Sequence, residues 1–242
     1  MPARDRAIVL ASLATLVALA WAYLWFAPMP MPATSGGLNT ADYAALTFAM
    51  WAVMMVGMMV PSVAPTVLLY LRTQRHWRPK GALAYTGAFT GGYLLAWTGF
   101  SVFATWLQIR LIHAGWIDDM GVASSRRVAA LLLAALAIYQ WAPAKRACLD
   151  HCRSPAEFLT TNHRPGFDGA LYMGVHHGLY CIGCCWAVML LLFVGGVMNL
   201  AWVAAIAALV LAEKLLARGP WLHRSIGVAA AIGALALLLP WS

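Results

Sequence analysis

The sequence predicts an all-α polytopic bundle of about seven membrane-spanning helices, and three observations predict it. Of its 242 residues 63% are hydrophobic and only 10% charged, more apolar surface than a water-soluble domain of this size needs. The apolar residues fall into seven runs, approximately 7–27, 44–70, 81–109, 127–144, 170–195, 199–217 and 222–240. Lys and Arg alternate between the ends of these runs, thirteen on one side and three on the other, which puts the N-terminus in the cytoplasm and the C-terminus outside. The chain reads as one transmembrane domain over 1–242. Its formal charge of +8 lies in short loops, where it sets orientation and argues against a nucleic-acid partner.

The first run starts with Arg4 and Arg6 and continues for about 20 apolar residues without a small-x-small cleavage site, so it reads as an uncleaved span. The Pro-, Gly- and Ser-rich stretch that follows is a loop, with Thr40 or Asp42 as helix cap. Many of the twelve Trp residues, among them Trp21, Trp25, Trp77, Trp141, Trp221 and Trp241, stand near span ends, where amphipathic rings favour the interface.

The second run holds MWAVMMVGMMVPSVAP. Met50, Met54 and Met58 recur at four-residue spacing, with Met55 and Met59 in the adjoining row. These rows read either as a flexible packing face or as a thioether ladder for copper(I). Pro61 and Pro65 free carbonyls at membrane depth, and Ser62 can partner one of them. In the third run Gly87 and Gly91 give a small-xxx-small pattern for close helix approach. The loop beyond it carries His113, Asp118 and Asp119, which read as a solvated loop before a metal catch.

The fourth run ends in YQWAPAKRACLDHCRSPAEF, placing Cys148 and Cys152 on one helical face with His151 beside them, closed by Pro155. Reactive thiols and metal ligands look alike here, and Lys145, Arg146 and Arg153 nearby favour thiolate. A permanent disulfide does not suit a reducing cytoplasm.

The fifth run, with YMGVHHGLYCIGCCWAVM at its centre, is the most informative. Met173, His177, Cys181 and Cys184 share a face with Cys185 beside them: thioether, imidazole and thiol, the donors that suit copper(I) or zinc. Singly each would be packing, but their recurrence on one stripe inside a span calls for a partner. At about 1.5 Å per residue, Cys181 stands about half-way through a ~30 Å core. Gly195 to Asn199 is a tight turn. The sixth run ends with Glu213 and Lys214; Glu213 is the acid embedded in an apolar run, either a functional group or half of an ion pair with its neighbour.

The chain resembles a family of bacterial inner-membrane proteins known as predicted metal-binding integral membrane proteins, itself uncharacterised. The likeness runs from about Thr47 to Leu238 and rests on WAVMMVGMMVPSVAP, YQWAPAKRACLDHCRSP, HGLYCIGCCWAVMLLLFVGGVMN and Glu213-Lys214. The resemblance implies metal binding and no reaction. It carries over to Met58, Met59, Pro61, Ser62, Cys148, Cys152, His177, Cys181, Cys184, Cys185 and Glu213, and not to His151 or His176.

Metal ligands are therefore expected among Cys148, Cys152, His177, Cys181, Cys184, Cys185, Met54, Met58, Met59 and Glu213. The favoured function is handling of copper(I), by transport or delivery to a copper enzyme, with zinc as the alternative ion. The expected partners are the bilayer, a copper enzyme or metallochaperone, and further copies or other subunits. A non-catalytic accessory subunit and a membrane metal or thiol oxidoreductase are the competing readings; no haem-attachment or glycine-rich nucleotide motif supports the enzyme.

Overall fold

The computed structural model describes residues 2–27, 40–77, 80–215, 219 and 221–239. The expected loop before Thr40, the cap at that side chain, Arg78, Arg218 and Trp241 lie outside them. The helices are α1 (Ala3–Phe26), α2 (Thr40–Trp77), α3 (Ala82–His113), α4 (Arg126–Trp141), α5 (Pro143–Arg153), α6 (Pro155–Thr161), α7 (Gly166–Met189), α8 (Leu192–Gly195), α9 (Leu200–Leu215) and α10 (Trp221–Leu238). The fold is all-helical.

The expected apolar runs fall on helices, the fourth crossing from α4 into α5 and the fifth covering α7 and α8. Among the described residues α1, α2, α10 and α7 with its short extension α8 are long and apolar enough to cross a membrane. A fifth crossing follows if α4 and α5, bent by 66°, form one broken span. The described part of α9 is only 16 residues. Long as it is, α3 carries many Gly, Thr, Tyr and Trp residues that hold its hydropathy down.

Two prolines shape the middle of the chain. Ala142 is held extended (φ −66°, ψ 137°) because Pro143 disfavours the helical region in the residue before it, and that break turns α5 away from α4. Pro143 and Pro155 then occupy the first turns of α5 and α6, where the missing N–H costs nothing. The result folds α5 back onto α7 and α9. Pro61 and Pro65 behave differently: α2 runs through both as one helix.

The tightest crossing joins α3 to α7. A Cβ at Gly92 would overlap the Leu171 carbonyl oxygen, and one at Gly174 would overlap that of Phe89. Ala88, Gly92 and Ala96 on α3 face Ala170, Gly174 and Gly178 on α7, two small-xxx-small stripes in register. The expected stripe at Gly87 and Gly91 is corrected: both are exposed, and a Cβ at either would meet nothing within 4 Å. One residue along the helix turns a stripe by about 100°, so the pattern could be seen in the sequence but its partner face could not. This crossing seats Tyr93, the residue after Gly92, against the fifth-run cysteines.

Elsewhere α1 lies on α2 through Gly57, whose missing side chain makes room for Trp21, and Arg75 is bridged to the buried Asp5. Trp25, Trp77, Trp141 and Trp221 are exposed, whereas Trp21 is packed between helices. Between α3 and α4, Asp118 accepts from the Met120 and Val122 amides, so it stabilises a turn, and His113 is exposed.

Candidate metal centre

All three cysteines of α7 are buried, together with Met173 and His177, on the face that the four-residue spacing picks out. Cys152 of α5 reaches the same place: its sulfur is 3.8 Å from that of Cys184. The bend at Pro143 brings the two C-x₃-C-spaced thiols of the fourth run to α7, yet only one arrives at the cluster. The Cys148 sulfur instead fills the space a side chain at Gly183 would occupy.

Cys181 is the most heavily contacted thiol. Its sulfur lies 3.0 Å from the Tyr93 hydroxyl of α3 and accepts from the Lys214 ammonium of α9 at 2.8 Å. Lys214 also donates to the Ser62 hydroxyl of α2 at 3.2 Å, and Ser62 in turn donates to the Met59 carbonyl at 2.9 Å. The Tyr93 hydroxyl is 3.3 Å from that same carbonyl. Cys184 and Cys185 donate back to the Cys181 carbonyl at 3.1 and 2.9 Å, the local bond a membrane helix offers a thiol with no stronger partner. Side chains of α2, α3, α5, α7 and α9 thus converge around these sulfurs.

A second buried network backs the first. Lys145 and Glu213, both with buried side chains, form an ion pair with Nζ 3.0 and 2.9 Å from the two carboxylate oxygens, and the Gln140 amide donates to Oε1 at 3.4 Å. Arg153 holds the Glu213 carbonyl through Nη2 at 2.7 Å and Nε at 3.0 Å. Of the two readings open for Glu213, the ion pair with its neighbour Lys214 is corrected: the partner is Lys145. On a helix, successive residues point about 100° apart, so Glu213 faces α4 and α5 while Lys214 faces α2 and α7. Both carboxylate oxygens of Glu213, an expected ligand, are engaged by Lys145.

His177 is 3% exposed, packed edge-on to Phe158 at 4.8 Å, and its Nδ1 has no hydrogen-bond partner. A buried ring nitrogen without a partner is costly unless something binds it. His151 is exposed, bonded to the Ala147 carbonyl at 2.8 Å and stacked on Tyr180, a surface role. Met50, Met54, Met55, Met58 and Met59 are all buried in the apolar core. From that part of α2 it is the Met59 carbonyl, not a thioether, that is held by the polar groups beside the thiols.

Among the described residues no three His, Cys, Asp or Glu side chains gather closely enough to form a ready-made cage. The donor set still fits a soft ion. Two sulfurs bound at about 2.3 Å to one ion lie up to about 4.6 Å apart, and the 3.8 Å between Cys152 and Cys184 is within that reach. Sequence reasoning missed Tyr93, and it gave the two lysines other partners: Lys145 was set beside the thiols of the fourth run and Lys214 beside Glu213, both counted as span-end charges, although Lys145 is 0% exposed and Lys214 7%.

A family model described as PpoB2, copper chaperone, matches residues 48–237, and the chain belongs to that family. This agrees with the metal-binding family its motifs resemble. No curated protein and no solved structure matches the chain.

Proposed function

We propose that this copper-chaperone family member is a multi-pass protein of the bacterial inner membrane that holds copper(I) between α5 and α7 and hands it to a copper enzyme. The observation that carries the reading is the approach of Cys152 to Cys184 across two helices, with Cys181 and the unpartnered His177 nitrogen on the same face. Thiolate and imidazole select a soft monovalent ion such as copper(I). Cys152 and Cys184 are the two thiolate ligands, Cys181 and His177 additional neutral donors, and Cys148 and Cys185 reserve thiols beside them.

Charge supports copper(I) over zinc. Two thiolates around copper(I) leave one negative charge, and the Lys214 ammonium already lies 2.8 Å from Cys181 to offset it. A divalent ion with the same ligands would leave the buried lysine uncompensated. Loading releases the thiol protons, and delivery is ligand exchange onto the partner's soft donors, with no change of oxidation state. Glu213 and Lys145 hold α5 in place, and the methionine rows pack α2. In this reading the chain is a single domain of seven spans with its N-terminus in the cytoplasm, α4 and α5 forming one broken span.

The test is anaerobic copper(I) loading of the purified protein followed by elemental analysis. We expect roughly one tightly held copper(I) per chain, lost in Cys152→Ser and Cys184→Ser. Protein that retains neither copper nor zinc would overturn the reading.

A further inference from the structure

A cleft of about 470 Å³ opens between the end of α2, α6 and the start of α7, lined by Tyr70, Gln74, Trp77, Leu159, His163 and Met173 among others. Two of these side chains are soft donors, the thioether of Met173 and the imidazole of His163. No carboxylate lines the cleft, so it offers little to hard cations that need oxygen ligands. Met173 is 0% exposed, although it borders the cleft, and its sulfur accepts only the Arg164 amide at 3.4 Å. It therefore stands at the cleft floor.

From that floor the donors continue along α7. His177 is four residues beyond Met173, and Cys181 four beyond His177, steps of about 6 Å each on one face. Helix α6 separates the cleft from this row. Ala156, Leu159 and Thr160 form cleft wall, and Phe158 of the same helix sits 4.8 Å from the His177 ring. The unpartnered His177 nitrogen is the next donor behind that ring.

We infer that this cleft is the port through which copper(I) reaches the thiols, with Met173 and His163 forming a first, transient binding site and Phe158 the gate between it and His177. The inference rests on the proposed copper site and adds its route of entry. Thioether and imidazole bind copper(I) more weakly than thiolate, so the ion is captured at the cleft and drawn inward to Cys181 and Cys184. Ligands are exchanged at each step and no electron is transferred.

The test follows the growth of copper–thiolate absorbance after stopped-flow mixing of the whole detergent-solubilised protein with copper(I) bicinchoninate. Met173→Leu conserves volume, His163→Ala removes the outer donor and Leu159→Trp fills the cleft. We expect each to slow loading, by about tenfold or more for the Met173→Leu/His163→Ala pair, with the final copper content unchanged. Thr160→Ala, on the same wall without a soft donor, should load at the wild-type rate. Met173→Leu/His163→Ala protein with unaltered melting and a wild-type loading rate would overturn the port even if Leu159→Trp failed to fold. Full loading of Cys184→Ser would instead overturn the metal site itself, so the two failures are distinguishable.

Discussion

Two buried stretches of α2 lie next to each other and are built on opposite principles. From Met50 to Met59 the helix presents soft sulfur to the interior, packed in the core, and its own polar contact near the start is Trp51 donating to Gln108 at 2.7 Å, with Gln108 3.4 Å from Tyr43. One turn further, Ser62 meets a lysine from α9, which also binds a cysteine of α7. The first stretch has the better metal donors by composition. The second has the charge, the convergence of helices and the unpartnered groups. A soft donor gains the makings of a site when other elements bring charge and further ligands to it.

The sharpest way to break this contrast is to unbalance the charges. Glu213→Ala leaves Lys145 buried without its counter-ion, which should cost about 3–5 kcal/mol and shift the thermal midpoint of the detergent-solubilised protein strongly downward. Lys145→Met/Glu213→Leu should recover most of that loss, since a well-packed apolar pair is near neutral. Copper affinity comes next. Cys184→Ser should weaken copper(I) binding by more than the ~10–100-fold typical of losing an outer partner, measured by competition with a chromophoric chelator. Lys214→Met removes the charged hydrogen bond to Cys181 but no ligand, and should lower affinity by about tenfold, near the ~1.5 kcal/mol of such a bond; an unchanged affinity would show that the ammonium plays no part. At the small end, Met54→Leu/Met58→Leu should cost less than about 1.5 kcal/mol and leave copper content as in wild type. Loss of copper there would make the methionine rows ligands after all and reverse the comparison.

Much of this architecture was legible in the residue order. The apolar runs fall on helices, the conformation that satisfies every backbone polar group within one apolar segment. The α7 stripe faces inward as its spacing says, and Pro155 marks a break that the exclusion of helix before proline dictates, whereas the break before Pro143 falls inside the expected fourth span. The centre itself was half legible. Cysteines and His177 announce themselves by type and period, whereas Tyr93, Lys145 and Lys214 belong to residue types that are common in membrane proteins for other reasons. Lys145 sits one turn into a helix whose direction depends on a 66° bend, and a cation at a span end counts as a loop charge until that bend is known.

The sequence alone determined the helical class, the number of apolar runs and the chemical softness of one stripe, because these follow from composition and from the 3.6-residue period of a single helix. Only the tertiary structure decided which thiol of the α5 pair meets a cysteine of α7, that Glu213 turns to Lys145 while Lys214 turns to Cys181, and that Gly92 rather than Gly91 carries the crossing. Those outcomes depend on the rotation of each helix about its axis and on the angle of the α4–α5 bend, and both are fixed by contacts between segments far apart in the chain.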